Sequence, residues 1–268
     1  MEPAPATRTA DAAPASDPIF GRILVGVDDT PESVVAAAQA RTLAPAGAHL
    51  AVVAVAETAF AAWAGSAATF ATGGVEHETE DLLEQACELA EPDERRLTSG
   101  RLADVLCAEC KRAGATLIAV GARPHRRLSA AVFGGHEVDL LHKASCALLV
   151  ARPGWGPSKP SRVVVGIDGS DASQAAENVA RSLATRLGCA IVPVVALGAH
   201  PGRDVLRAER EDAVVAPGEL VDAVAHEADE RTLVVAGKGH DAERIVYACR
   251  CSVLVVVATE ADDAPRAG

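Results

Sequence analysis

Ile23-Leu24-Val25-Gly26-Val27-Asp28-Asp29-Thr30 is a strand-like run that ends in Asp, and it returns 140 residues later as Val163-Val164-Val165-Gly166-Ile167-Asp168-Gly169-Ser170. Two further landmarks recur in the same order. Leu117-Ile118-Ala119-Val120-Gly121 is matched by Leu233-Val234-Val235-Ala236-Gly237, and Cys146-Ala147-Leu148-Leu149-Val150 by Cys251-Ser252-Val253-Leu254-Val255, at offsets of 116 and 105 residues. The chain therefore reads as a tandem repeat. Its second copy is shorter by 24 residues (140 less 116) between the first two landmarks and by 11 (116 less 105) between the last two.

Outward from these landmarks, the apolar pattern alternates between strand and helix. The first copy reads as strand 23–27, an Ala-rich helix begun by Thr30-Pro31-Glu32 and running to Leu43, strand 50–56, helix 76–89, a short strand 95–98 and helix 103–113. Strand 117–120 follows, then a long glycine-bearing loop, helix 136–143 and strand 148–150. The second copy reads as strand 163–167, helix 172–187, strand 190–196, helix 218–228, strand 232–236, a shortened helix 241–249 and strand 253–257. It has one helix and much of one loop fewer. Strands that alternate with helices require a parallel sheet with right-handed crossovers. The predicted fold class is α/β: two tandem open parallel-sheet, Rossmann-like domains, five-stranded with helices on both faces, the second copy shortened. Arg152-Pro153-Gly154-Trp155-Gly156-Pro157-Ser158-Lys159-Pro160 can sustain neither a helix nor a central strand. The boundaries expected are a tail 1–18, domains 19–151 and 163–258 joined by a linker 152–162, and a tail 259–268.

With 268 residues, 49% of them hydrophobic and 23% charged, the chain is long enough for two domains with separate cores. Few aromatic residues (Phe 4, Trp 2, Tyr 1) leave those cores to Ala, Val and Leu. The net charge of −12 argues against general binding to nucleic acid or anionic membrane. Seven cysteines without framework spacing indicate free thiols and a reducing, cytoplasmic setting. Residues 1–18 read as a disordered tail rather than a signal peptide. The weakly charged stretch Leu50 to Thr72 reads as a buried strand and a loose Ala-rich loop rather than a membrane span.

In an open parallel sheet, ligands bind beyond the carboxyl ends of the strands, where the winding direction reverses. Asp28 and Asp168 close the two first strands. A carboxylate there either accepts hydrogen bonds from a ribose hydroxyl or an adenine amino group, or starts a turn and caps the next helix. Cys107 and Cys110 have C-x-x-C spacing, but inside a predicted helix and without a second pair they read as packing residues. Cys249 and Cys251 are too closely spaced in a rigid segment to bridge readily, and Cys146 and Cys251 fill the small apolar position before the last strand. No metal site is expected. Scattered histidines and the lack of a nucleophile elbow or an acid-base partner for Asp28 in sequence point away from an enzyme.

Together, the strand-Asp-Asp-Thr and strand-Asp-Gly-Ser runs, Gly100-Arg101-Leu102-Ala103-Asp104-Val105-Leu106, the Gly121 loop and Ser145-Cys146-Ala147-Leu148-Leu149-Val150 resemble a tandem universal stress protein of the UspA type, within the adenine-nucleotide-hydrolase-like fold. The resemblance covers roughly residues 20–152 and 161–258. ATP-binding members of that family have Gly, two residues, Gly, nine residues, then Gly-Ser or Gly-Thr after the fourth strand. Here the run is Gly121, two residues, Pro124, nine residues, Gly134-Gly135. Pro124 lacks the N–H that a phosphate cradle uses, and Gly135 replaces a hydroxyl donor but keeps a backbone N–H at the helix start. Arg123, His125, Arg126 and Arg127 either add positive charge for a phosphate or form a solvated cluster.

The resemblance implies a stress-response or regulatory protein whose first domain takes ATP or another adenine nucleotide, with Mg²⁺, at Val27, Asp28, Thr30, Gly121, Arg123, Arg126, Gly134, Gly135 and His136. Any slow ATP hydrolysis would be incidental. The alternative is a nucleotide-independent protein-interaction module with an unidentified protein partner. In the second copy only 14 residues separate Gly237 from Cys251, against 25 from Gly121 to Cys146, so the nine-residue loop has no room and no cofactor is expected. Gly237-Lys238-Gly239-His240 is a glycine-rich turn, not a phosphate loop. The two final strands, apolar and uncharged, are expected to pair within one chain as a pseudo-dimer, with homodimerisation of whole chains left open.

Overall fold

Every apolar run read as a strand forms one, and all of them join a single ten-stranded sheet. The computed structural model describes residues 19–56, 68–122, 136–197 and 212–258. The first half contains β1 (Arg22–Val27), α1 (Glu32–Leu43), β2 (His49–Ala56), α2 (Ala68–Ala90), β3 (Glu94–Ser99), α3 (Leu102–Ala113), β4 (Leu117–Gly121), α4 (His136–Lys143) and β5 (Ala147–Ala151). The second half contains β6 (Arg162–Ile167), α5 (Asp171–Leu187), β7 (Ala190–Leu197), β8 (Val214–Pro217), α6 (Leu220–Glu227), β9 (Thr232–Gly237), α7 (Ala242–Ala248) and β10 (Ser252–Val256).

The strand order is β3-β2-β1-β4-β5-β10-β9-β6-β7-β8, so each half has the same order when read inward from its own outer edge. Pairing within each half is parallel, as the strand-helix alternation requires. The halves meet where β5 and β10 pair antiparallel, with Val150 opposite Val253, Leu149 opposite Leu254 and Leu148 opposite Val255. These are the two final strands that the sequence places together. Their side chains are buried, and a row of unpaired backbone groups beside so apolar a surface would invite association with other chains.

The cores correct one expectation. The hydrophobic residues do not divide into one core per repeat; they divide by face of the sheet, and each core crosses the seam. One cluster joins Leu106 and Leu140 to Val224, Ile245 and Val253, under α3, α4, α6 and α7. The other joins Val25, Leu43 and Leu149 to Val163, Leu183 and Leu254, under α1, α2 and α5. A continuous sheet leaves no solvent gap at which two cores would end. Small residues make the helix-to-sheet approach close: a Cβ on Gly26 in β1 would fall 2.5 Å from Leu106 Cδ1 in α3.

Two elements depart from the sequence reading. β8 was not expected, yet Val214–Pro217 pairs in parallel with β7 and supplies the fifth strand of the second half. Helix α2 begins at Ala68 rather than residue 76, so residues 68–72, read as loop, are helical. Alanine, as at 68 and 71, is a strong helix former, and each glycine of Gly73-Gly74 weakens a helix by only about 1 kcal/mol.

The linker is an ordered strap. Gly154 has φ 144°, and a Cβ there would lie 1.8 Å from the carbonyl oxygen of Glu230, so this turn closes against the second half only with glycine. Trp155 is buried in the core beneath α1, α2 and α5. Gln39 of α1, itself fully buried, donates from Nε2 to the carbonyls of Arg152 (2.9 Å) and Trp155 (2.8 Å). Its Oε1 accepts from Ser252 Oγ of β10 at 2.7 Å, and that hydroxyl accepts from the Arg152 amide at 2.9 Å. One glutamine thus ties together α1, the strap and the seam strand.

Candidate functional site

Parallel pairing of β1 with β4, with Val25 opposite Ala119, brings Val27, Asp28 and Gly121 to the same end of the sheet. This is also where the strand order reverses, because β2 and β3 lie on one side of β1 and β4 and β5 on the other. Asp28 is buried at 3% exposure. Its Oδ1 accepts from the Thr30 amide at 3.0 Å and the Thr30 hydroxyl at 2.5 Å. That arrangement is an Asx turn, and it directs the chain into α1. Ser33 Oγ then donates to the Thr30 carbonyl at 2.7 Å.

The second half repeats the turn. Asp168 Oδ1 accepts from the Ser170 amide at 2.9 Å and its hydroxyl at 2.6 Å. Ser170 goes further than Thr30: its Oγ accepts from the Ser173 amide at 3.1 Å and caps α5. Asp168 is exposed, whereas Asp28 is not. The cavity beside Asp168, bounded by Ser170, Gly237, Gly239 and His240, holds only about 30 Å³. That is room for little more than a water molecule.

Gly121 and Gly237 have a packing role at these positions. A Cβ on Gly121 would lie 2.4 Å from the carbonyl carbon of Glu32 and 2.5 Å from the amide nitrogen of Ser33. On Gly237 it would lie 2.4 Å from the carbonyl carbon of Ala172 and 2.8 Å from the Ser173 nitrogen. Each glycine lets the first turn of a helix settle on the end of a strand. Gly121→Ala and Gly237→Ala are therefore each expected to cost about 1–3 kcal/mol in urea unfolding, since backbone cannot yield as a side chain can. If the matched glycines serve packing alike, the two losses will be similar.

Residues after the two landmarks diverge. The Ala122 amide donates to the Ala151 carbonyl at 2.8 Å, and the Lys238 amide makes the matching bond to Val256 at 2.7 Å. Lys238 Nζ, however, crosses the seam and donates to the Ala144 carbonyl just beyond α4 at 2.6 Å. In the other direction, Arg152 donates to the carbonyls of Val246 in α7 (2.7 Å) and Cys251 (3.1 Å). Burial lowers the pKa of the Arg152 guanidinium, and these carbonyls offset part of that cost. Both cations sit at helix carboxyl ends, where the dipole favours them.

Of the residues expected to hold a ligand, Val27, Asp28, Thr30 and Gly121 gather at the carboxyl ends of β1 and β4, and His136 begins α4. Arg123, Arg126, Gly134 and Gly135 lie outside the described residues, as do Pro124, His125 and Arg127. A shallow cavity of about 580 Å³ between α4 and α7, bordered by His142, Lys238, His240, Arg244 and Tyr247, was not foreseen. Its borders come from both halves, so no local motif announces it. A smaller recess of about 210 Å³ opens at the opposite end of the strands; there Arg96 is engaged by Glu94 (2.6 Å) and Glu109 (3.0 Å). Among the described residues, no group of three or more His, Cys, Asp or Glu could hold a metal ion. None of the described helices is long and apolar enough to cross a membrane.

Comparison with known proteins agrees with this architecture. No protein of curated function matches the chain. A universal stress protein from Archaeoglobus fulgidus DSM 4304 aligns over 90% of this chain and 99% of its own, at 13% identity and a TM-score of 0.65. A Pseudomonas aeruginosa UCBPP-PA14 protein described as a universal stress protein aligns over 89% of this chain and 93% of its own, at 16% identity and a TM-score of 0.61. At these identities the likeness is one of fold. Residues 20–152 match the sequence model of the universal stress protein family. The first half of the chain, with its Asx turn at Asp28 and its glycine-closed β4, is a universal stress protein domain.

Proposed function

We propose that the chain is a non-enzymatic regulatory protein of the stress response, in which the first half binds an adenine nucleotide and the second half serves as its built-in structural partner. In this reading the domains are 19–151 and 163–258, joined by residues 152–162, and the setting is cytoplasmic. The observation that carries it is the contrast between the two aspartates. Asp28 is buried at the point where the strand order reverses, where a desolvated carboxylate binds hydroxyl and amino donors strongly. Asp168 is exposed beside a cavity of about 30 Å³, and Lys238, the nearby cation, is engaged across the seam.

Calorimetric titration with ATP and Mg²⁺ tests this. One binding event per chain is expected, abolished by Asp28→Ala and unchanged by Asp168→Ala. At 100 times its Kd the nucleotide should add about 2.7 kcal/mol of stability. Neither heat nor stabilisation at millimolar nucleotide would favour the second reading, a nucleotide-independent interaction module. Two events per chain would overturn the assignment of the second half.

A further inference from the structure

We propose that Cys110 and Cys146 are an oxidation-responsive thiol pair, which a peroxide converts to a disulfide joining the last turn of α3 to the start of β5. Their sulfurs lie 3.2 Å apart, although 36 residues separate them in sequence. Cys110 belongs to α3 and is buried; Cys146 immediately precedes β5 and is partly exposed. A disulfide needs about 2.05 Å between sulfurs, so the pair must close by roughly 1 Å, within reach of side-chain adjustment. This pairing cuts across the C-x-x-C spacing, which would have joined Cys110 to Cys107.

Cys146, the less buried residue of the two, meets the oxidant first. Cys146 sulfur attacks one oxygen of hydrogen peroxide, the O–O bond breaks, the departing hydroxide takes the Cys146 thiol proton, and Cys146 sulfenic acid and one water form. Cys110 sulfur then attacks the Cys146 sulfur. The S–S bond forms, the S–O bond breaks, and the departing hydroxide takes the Cys110 proton as a second water. Two thiols lose two electrons in all, and one peroxide becomes two waters. Burial raises the pKa of the Cys146 thiol, which keeps the thiolate scarce and makes the oxidation slow and cumulative. The bridge closes a covalent ring around β4, α4 and the segment between them, the part of the chain that contains Gly121 and His136. The inference is independent of nucleotide binding.

The other close thiol pair differs. Cys249 and Cys251 are two residues apart, at the junction between α7 and β10, and both are buried. So short a ring is strained, and the pair should stay reduced.

The test uses the full-length chain exposed to hydrogen peroxide, then unfolded, alkylated and mapped by mass spectrometry. The expected result is loss of two hydrogens, one linked peptide joining Cys110 to Cys146, and five of the seven thiols still alkylated. The melting midpoint should rise by about 5–10 °C and fall back with dithiothreitol. Cys110→Ser and Cys146→Ala should each abolish the link and the rise, and Cys107→Ser should keep both. Because the mapping is done on the unaltered chain, a poorly folding variant does not blur the outcome. A link from Cys107 to Cys110, a bridge between Cys249 and Cys251, or oxygenated Cys146 without a link would overturn the proposal, as would seven thiols all remaining alkylatable.

Discussion

Leu149→Ala and Leu254→Ala should each lower the stability of the whole chain by about 3–4 kcal/mol in urea unfolding. Both side chains are fully buried, and they face each other across the antiparallel seam between β5 and β10. Each also belongs to the core that runs under α1, α2 and α5 through both halves, so the loss should be felt by both together. The double variant should lose less than the two single losses combined, with a coupling of about 1 kcal/mol, because the first truncation already opens the space next to the second. Unfolding should remain one transition whether followed by tryptophan fluorescence or by the helical signal of the whole chain. Two transitions, each shifted by only one of the substitutions, would show that the halves fold separately and that the seam contributes little.

The second large effect is expected at Gln39. Gln39→Leu keeps most of the volume but removes the donor to the Arg152 and Trp155 carbonyls and the acceptor for Ser252 Oγ. The Trp155 carbonyl would be left buried without this partner, and the expected cost is about 2–4 kcal/mol. A control lies one turn along the same helix. Thr42 shares its one hydroxyl proton between the Ala38 carbonyl of its own helix (3.0 Å) and the solvent-exposed contact to the Pro157 carbonyl (3.3 Å), so Thr42→Val should cost no more than about 0.5 kcal/mol. Equal losses at the two positions would mean that the strap is held by its surface contacts rather than by the buried glutamine.

Both predictions concern contacts between residues far apart in the chain, and the legibility of the sequence divides along that line. The pairing of β5 with β10 could be read because the runs 148–150 and 253–257 are apolar, uncharged and placed last in each half, which leaves a neighbouring strand as their natural cover. The parallel halves could be read because burial on both faces makes a strand continuously aliphatic, as in Val163-Val164-Val165. β8 could not. Val214-Val215-Ala216 is stopped by Pro217 and Gly218, and at the edge of the sheet it lacks the burial on both faces that would mark it. Its pairing with β7 is a tertiary fact.

The site divides in the same way. Asp28 and Asp168 could be placed at strand ends, and the turn-forming alternative raised for both is present in both, through Thr30 and Ser170. The difference in their burial could not be read, because it is set by the surrounding fold and not by the run itself. Gly121 was legible as a required glycine, but the reason visible in the structure is the α1 backbone, 2.4 Å from where a Cβ would stand, whereas the motif suggests a phosphate. Lys238, Arg152 and Gln39 carried no signal at all: a helix-capping cation or a buried amide follows no period, and their partners lie 94 to 213 residues away. The contact of Cys110 with Cys146 is of the same kind, whereas the C-x-x-C spacing beside it pointed elsewhere.

The antiparallel seam has a genetic consequence. Where two identical chains join through their last strands, any substitution is made on both sides of the joint at once, and a residue that suits one side must suit the other. Here the two sides are written separately. Lys238 stands where the first half has Ala122, and it crosses the joint to Ala144 without a mirror-image lysine crossing back. A single chain can therefore let one side of its joint become a brace while the other side keeps its own chemistry, and dilution cannot part the two.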